Sequence, residues 1–190
     1  PDRTLPYVGV STPSMYTCVR YGPPEASPLN SGLILADVPA NEMFFLTNDK
    51  VNNSTILAEN TATVDFGNIT VDNNLGQIVA DGPDTRIDFN HSTILGGDLL
   101  ALNGGLVDVL SASLTGVYFE GLMNLRNART LTVTDSITNN GMIVVNSDGS
   151  ISATQIVFTN DGAVNGNGSV NLNSFASRAR IQGRPGVTVT

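Results

Sequence analysis

The sequence predicts an all-β protein that folds as a right-handed, single-stranded parallel β-helix, a solenoid of about six coils with three short strands in each. Three observations support this prediction. Short apolar patches recur in a fixed order about every 20 residues. The patches have the period of two that is typical of a strand with one buried face. Clusters of Gly, Asn, Asp and Pro separate them, as expected for tight turns.

The repeating unit contains three patches. The first follows a Gly or Ser in every copy and comprises Ile56-Leu57, Ile78-Val79, Leu99-Leu100, Leu122-Met123, Ile143-Val144 and Ala163-Val164. The second alternates apolar, polar, apolar and comprises 64–66, 87–89, 107–109, 131–133, 151–153 and 170–172. The third is weaker and comprises Ile69, Ile94, Leu114, Ile137, Ile156 and Phe175. We expect each patch to be a strand of one coil.

Three strands and three turns in about 20 residues leave no space for a crossover helix. Each strand is therefore predicted to pair in parallel with its counterpart one coil away. The alternative is an antiparallel β-sandwich, which also has short strands at regular spacing. A sandwich does not require three patches to recur in the same order, whereas a solenoid does, so the solenoid is favoured.

The ends of the chain differ from the repeats and define three regions. Residues 1–31 contain six prolines, five of them after the first residue at positions that interrupt helices and central strands, and are predicted to form an N-terminal arm or cap. Residues 32–176 are predicted to form the β-helix. Residues 177–190 form a basic C-terminal tail. The open ends of a solenoid expose unpaired backbone groups, so the arm and the tail are the candidates to cover them.

Composition excludes several classes of function. The formal net charge is −8 and the pI is about 4.3, which argues against a nucleic-acid partner because phosphate binding requires clustered Lys and Arg. Cys18 is the only cysteine, so neither an intramolecular disulfide nor a thiolate metal site can form within the chain. No apolar run approaches the ~20 residues of a membrane-spanning helix, so no membrane span is expected.

The second patch places Asp65, Asp88 and Asp108 at equivalent outward positions on three successive coils. Stacked one strand spacing apart, these carboxylates repel one another unless a cation bridges them or one is protonated. They are therefore the candidate ligands of a Ca²⁺ ladder, and no other cofactor is expected. Arg86 precedes Asp88 by two residues, faces the same side, and is expected to neutralise part of the charge. The simplest alternative is a solvated acidic stripe.

The tail carries candidate assembly residues, which are Arg178, Arg180, Arg184, Val187 and Val189. One hypothesis is that the tail docks on a neighbouring molecule, with its arginines against the acidic coils and its last residues adding a strand. The alternative is that the tail folds back as a cap or is partly disordered.

Catalysis is not expected, and no catalytic residue is predicted. His91 is the only histidine and lies in a turn, so a His-based zinc cluster is excluded and a surface position is expected. The acidic ladder leaves a polysaccharide-active enzyme as an alternative, because paired carboxylates perform glycoside chemistry. Such enzymes generally need a cleft formed by long loops, and the turns here are short.

Segments 137–145 and 158–170, with their pattern of strand, Asn-Asn-Gly, strand and Gly-Ser, resemble repeats of bacterial surface β-helices, namely filamentous-haemagglutinin-type adhesins and autotransporter passengers. The resemblance covers roughly residues 50–175. It implies a non-catalytic structural or adhesive protein at the cell surface or outside the cell. Expected partners are further copies or other surface proteins, with glycans as an additional candidate. The alternative is a phage or virus spike, head-fibre or capsid-decoration protein on the virion, a class that often forms trimers.

Overall fold

The fold is an all-β solenoid of about seven turns, seen in a computed structural model that describes residues 8–9, 17–18, 29–149, 151–173 and 178–190. These ranges contain twenty strands and no helix, and every pairing between the strands is parallel. The predicted parallel β-helix architecture is confirmed. The antiparallel sandwich is wrong, because neighbouring strands are successive coils of a spring and run in the same direction.

The strands are short, as the spacing of turn residues predicts. The first ten are β1 (Val8–Gly9), β2 (Thr17–Cys18), β3 (Leu29–Asn30), β4 (Leu33–Ala36), β5 (Glu42–Leu46), β6 (Lys50–Asn52), β7 (Thr55–Ala58), β8 (Thr63–Gly67), β9 (Thr70–Asp72) and β10 (Gln77–Asp81). The next ten are β11 (Arg86–Leu95), β12 (Asp98–Leu102), β13 (Leu106–Glu120), β14 (Leu122–Leu125), β15 (Thr130–Asn139), β16 (Met142–Val145), β17 (Thr154–Phe158), β18 (Val164–Asn165), β19 (Ser169–Leu172) and β20 (Ala179–Gly183).

The strands stack into three ladders, which we call faces 1, 2 and 3. Face 1 contains β1, β4, β7, β10, β12, residues 118–120 of β13, residues 137–139 of β15, and β18. Face 2 contains β2, β5, β8, 86–90 of β11, 106–109 of β13, β14, β16 and β19. Face 3 contains β3, β6, β9, 93–95 of β11, 112–115 of β13, 130–133 of β15, β17 and β20.

The core lies between the faces and is made of inward-facing residues that stack from coil to coil. Alternate residues are buried in strands such as β7, β8 and β12, which is the pattern that the sequence alternation predicts. Phe45, Phe66 and Phe89 form one inward row on face 2, with ring centroids 5.0 Å and 5.5 Å apart. In-register stacking therefore places identical side chains in contact, which stabilises the alignment of neighbouring coils.

A buried ladder of asparagines closes the corner between faces 3 and 1. Asn30 donates from Nδ2 to Oδ1 of Asn52 over 2.7 Å, and Asn52 donates in the same way to Asn73 over 2.6 Å. Asn52 also donates to the backbone carbonyl of Gln77. Asn52 and Asn73 are fully buried. The ladder satisfies backbone groups that would otherwise be unpaired at the turn.

The predicted alignment of the repeats is correct for the first coils and wrong after residue 115. Leu99 pairs with Phe119 rather than with Leu122, and Met123 pairs with Val107 on face 2. The cause is a short turn: Gly121 alone separates the strand residues on face 1 from β14 on face 2. A coil with such a tight corner contains fewer residues. An alignment that matches the apolar patches at a nearly constant spacing therefore assigns the later strands to the wrong face.

Because of the same slip, the glycines that precede the first patch belong to two different corners of the coil. Gly76 and Gly97 lie at the corner between faces 3 and 1, whereas Gly121 and Gly141 lie between faces 1 and 2. A Cβ on Gly141 would lie 2.2 Å from the carbonyl oxygen of Gly121, because the two backbones stack directly. Glycine is required there by close approach of the backbone. The solenoid has about seven turns rather than about six, because β1–β6 form coils that precede the repeats counted from Ile56 onward.

Parts of the predicted arm and tail carry strands of the solenoid. β1, β2 and β3 fall within residues 1–31 and pair with β4, β5 and β6. β20 falls within residues 177–190 and pairs with β17. Most of the predicted arm, and Phe175, which was assigned to the third patch, lie outside the described residues.

Candidate functional site

The outer surface of face 2 carries a row of acidic side chains. Asp88 is the register partner of Asp65 on one side and of Asp108 on the other. The sequence predicts this stacking from the second patch, and here the alignment of the repeats is correct. The next residue along the row is Asn124, so the run of carboxylates ends at Asp108.

The row points away from the core but is not a solvated stripe. Asp65 is half-buried, Asp88 is 5% exposed and Asp108 is fully buried. The expected open acidic surface is therefore wrong for two of the three residues. The physical reason is that arginine side chains from neighbouring positions lie over these carboxylates and exclude water from them.

Arg86 and Arg126 are those arginines. Arg86 contacts Asp88 with two nitrogens, with Nε 2.7 Å from Oδ1 and Nη2 donating to Oδ2 over 2.8 Å. Its Nη1 lies 4.0 Å from Oδ2 of Asp108, and Arg126 forms a salt bridge with the same oxygen. Oδ1 of Asp108 has no hydrogen-bond partner among the described residues. The predicted role of Arg86 is confirmed, while Arg126 was missed.

Glu42 is the second residue that the sequence reasoning missed. One carboxylate oxygen from each of Glu42, Asp65 and Asp88 lies within 4.8 Å of the others. Glu42 reaches the row from β5, the preceding strand of face 2, where its register partner is Thr63. The sequence contains a signal for Glu42, because Met43 and Phe45 have the spacing of Val64 and Phe66, but the apolar residues Phe44 and Leu46 obscure that alternation.

Burial and like charge change the acidity of this cluster. The pKa of Asp65 is raised to about 6, mainly by burial and also by the charge of Glu42, against the opposing effect of Arg86. Burial likewise raises the pKa of Asp88 to about 7, against the opposing effect of Arg86 and with smaller contributions from Asp108 and Asp65. Near neutral pH, the row therefore holds protons that exposed carboxylates would release.

The geometry permits two ways of relieving the repulsion, which are protonation and a bridging cation. Arg86 and Arg126 already compensate Asp88 and Asp108, so the excess negative charge is at Glu42 and Asp65. Asp108 lies outside the group of three oxygens that are close enough to share an ion. The Ca²⁺ ladder of Asp65, Asp88 and Asp108 stays a prediction, and its geometric counterpart is Glu42, Asp65 and Asp88.

The C-terminal candidate residues lie at one end of the rod. Arg178, Arg180 and Arg184 are exposed, and Arg180 donates from Nε to Oε1 of Gln155. Val187 and Val189 are partly buried against the protein's own core, and Val189 bridges to Gly162. The described part of the tail therefore continues its own solenoid. An intermolecular role for these residues stays a prediction.

Lys50 and His91 both contact residues that are close to them in sequence. Lys50 occupies an inward position in line with Val71, and its Nζ donates to the backbone carbonyls of Thr47, over 2.7 Å, and Asn48. Burial lowers the pKa of Lys50. His91 is exposed, as expected, and its Nδ1 lies 2.9 Å from Oδ1 of Asn90.

These features define the class of protein as a parallel β-solenoid with a partly neutralised acidic row on one face. No protein-family model, curated protein or solved structure matches the chain. Within the ranges that the structure describes, no helix has the length and apolar character needed to cross a membrane.

Proposed function

We propose that this protein is a non-catalytic structural or adhesive rod that attaches to other molecules through its ends. The observation that carries the proposal is the continuity of the three ladders. Faces 1, 2 and 3 run in register from the coil of β4, β5 and β6 to that of β18, β19 and β20. With strands about 4.8 Å apart, seven turns make a rod of about 34 Å.

Such a rod suits a spacer or attachment role for a physical reason. Every coil is hydrogen-bonded to the next on three faces, and the inward rows of the core join the same coils. A force along the axis is therefore distributed over many bonds. The proposed location is the cell surface or the extracellular space, and the proposed partners are further copies of the chain or other surface proteins. The acidic flank does not favour a nucleic-acid partner.

The location can be tested with antibodies raised against the folded protein and applied to intact, unpermeabilised cells of the source organism. We expect labelling without permeabilisation. Labelling of virus particles instead would support a virion component and overturn the cellular assignment. Antigen that is accessible only after lysis, and absent from particles, would overturn both.

The absence of catalysis is tested separately. Purified protein is incubated with acidic polysaccharides, with and without Ca²⁺, and the length distribution of the polysaccharide is followed. We expect no change. Shortening that is lost in Asp65→Asn would establish the polysaccharide-active alternative in place of the proposed role.

A further inference from the structure

A groove lies on the outer surface of the rod, at the corner between faces 3 and 1. It has a volume of about 380 Å³ and crosses the coils of β7, β10 and β12. One wall is polar and consists of the first residue of each of these strands, namely Thr55, Gln77 and Asp98, which are register partners and point outward. Polar groups therefore recur along the groove at the strand spacing of about 4.8 Å.

Gly76 and Gly97 line the groove where larger residues would fill it. A Cβ on Gly76 would collide with Asn52, and a Cβ on Gly97 would collide with the backbone of Asn73. Asn52 and Asn73 belong to the buried asparagine ladder, so neither can move aside easily. The tight stacking of this corner thus keeps the groove open, and it is formed before any ligand binds.

The polar wall is held in place and keeps groups that can bind a ligand. Gln77 donates from Nε2 to Oδ2 of Asp98 over 3.1 Å, which fixes both side chains. Ser54 and Thr55 bond to the asparagine ladder through backbone atoms. Among the described residues, the hydroxyls of Ser54 and Thr55 have no partner, and neither has Oδ1 of Asp98. A ligand that both donates and accepts hydrogen bonds suits this wall.

Apolar side chains border the polar wall on both sides. Leu75, at the corner, is 77% exposed. On face 1, Leu57 and Leu100 lie two residues after Thr55 and Asp98, point outward and are half-buried. A sugar has polar edges made of hydroxyl groups and apolar faces made of C–H groups. It can therefore contact the polar wall and the apolar border at the same time.

The charge of the groove favours a neutral ligand. Of the described residues that line it, only Asp98 is ionisable, and the chain has a formal net charge of −8. Arg86 and Arg126 are paired with carboxylates on face 2. An acidic polysaccharide would therefore be repelled and would find no cation in the groove.

We propose that the groove binds a linear, neutral polysaccharide of β-linked sugars, which lies along the axis of the rod. One sugar residue of an extended β-linked chain has nearly the length of one strand spacing, about 4.8 Å. Successive sugars therefore meet Thr55, Gln77 and Asp98 in turn. This site lies on the flank of the rod and goes beyond attachment through the ends.

The test is a titration of the isotope-labelled protein, followed by amide NMR, with three neutral β-1,4-linked hexasaccharides, namely cellohexaose, chitohexaose and mannohexaose. We expect at least one of them to cause saturable shifts at residues 54–57, 74–77 and 97–100. Hexamannuronate, the acidic counterpart of mannohexaose, should bind at least about tenfold more weakly than the best neutral hexasaccharide, because of the charge of Asp98.

Two variants test the polar wall. Thr55→Val removes a hydroxyl and keeps the shape of the side chain, so the affinity should fall about fivefold. Asp98→Ala removes a charged acceptor and should weaken binding about tenfold or more. Thr132→Val is the matched control, because Thr132 is also half-buried and points outward, but lies on face 3. It should leave the affinity unchanged. Far-UV circular dichroism checks that each variant is folded.

Several results would overturn the inference. The absence of saturable shifts with all three neutral hexasaccharides is one, and equal binding of hexamannuronate is another. A loss of affinity in Thr132→Val that equals the loss in Thr55→Val is a third. None of these results changes the surface labelling, so failure of polysaccharide binding is distinguishable from failure of the proposed function.

Discussion

Asp65 lies directly opposite Asp88 in the parallel ladder between β8 and β11, so two carboxyl groups from different coils face each other on one side of the sheet. Arg86 is paired with Asp88. The carboxyl of Asp65 has one buried oxygen without a hydrogen-bond partner among the described residues. Because Arg86 is paired with Asp88 and not with Asp65, uptake of a proton by the acidic row should change the free energy of unfolding.

Stability should fall as pH rises through the range in which the row loses its protons. Asp65 and Asp88 ionise near 3.8 in the unfolded chain, and their pKa values in the fold are about 6 and about 7. Between these values the folded state binds more protons than the unfolded state, so the free energy of unfolding decreases with pH. Thermal melting in EDTA should give a higher Tm at about pH 5 than at about pH 8.

Asp65→Asn should remove part of this pH dependence. The amide keeps the shape of the protonated carboxyl and carries no charge, so Tm should rise at about pH 8 and stay nearly unchanged at about pH 5. Asp84→Asn, at an exposed turn, is the control and should leave both values unchanged. An Asp65→Asn protein that melts in parallel with the wild type at every pH would contradict the prediction.

The Ca²⁺ prediction has a separate readout. Oxygens of Glu42, Asp65 and Asp88 lie within 4.8 Å of one another, and two ligands on opposite sides of a Ca²⁺ ion are separated by about that distance. If the ion binds, Ca²⁺ should raise the Tm of the wild type at about pH 8 but not that of Asp65→Asn. Equal Tm values with Ca²⁺ and with EDTA would argue against the site.

Arg126→Leu should destabilise the protein strongly. Asp108 is fully buried, and removal of its salt-bridge partner leaves a carboxylate that, among the described residues, only Arg86 at 4.0 Å can compensate. The expected loss is about 3 kcal/mol in the free energy of unfolding, measured by urea denaturation. Adding Asp108→Asn should recover most of that loss. Arg129→Leu, which breaks no salt bridge within the described ranges, should cost less than about 0.5 kcal/mol.

Gly141→Ala tests the close approach of the backbones at the corner between faces 1 and 2. The new methyl group would lie 2.2 Å from the carbonyl oxygen of Gly121, and neither backbone can move without disturbing its ladder. The expected destabilisation is about 2 kcal/mol or more. Gly32→Ala is the matched control, because no atom lies within 4 Å of its Cβ position. Equal stability of the two variants would contradict the glycine stacking.

Asn52→Ala tests the asparagine ladder. Asn52 is fully buried and bonds both Asn30 and Asn73, so alanine leaves buried polar groups unpaired. Unfolding should become easier by about 2 kcal/mol. Asn53→Ala removes an exposed amide one residue away and should be nearly neutral. Retention of wild-type stability by Asn52→Ala would mean that water replaces the ladder.

The sequence by itself determined the fold class and the register of the first coils. Alternating apolar residues, about 20 residues apart and separated by turn residues, are compatible with few other arrangements. The stacking of Asp65, Asp88 and Asp108 follows from that period, since the turns between β8 and β13 differ little in length. Arg86 was also predictable, because it lies two residues before Asp88 on the same strand.

Only the tertiary structure decided the rest. Gly121 shortens one coil, and this moves β14 to face 2 and brings Arg126 beside Asp108. Glu42 joins the carboxylates from a neighbouring strand, and Asp108 is buried by side chains that are distant in sequence. Local patterns reveal which residues alternate. The burial and charge of a given side chain depend on which coils stack on it, and turn length controls that stacking.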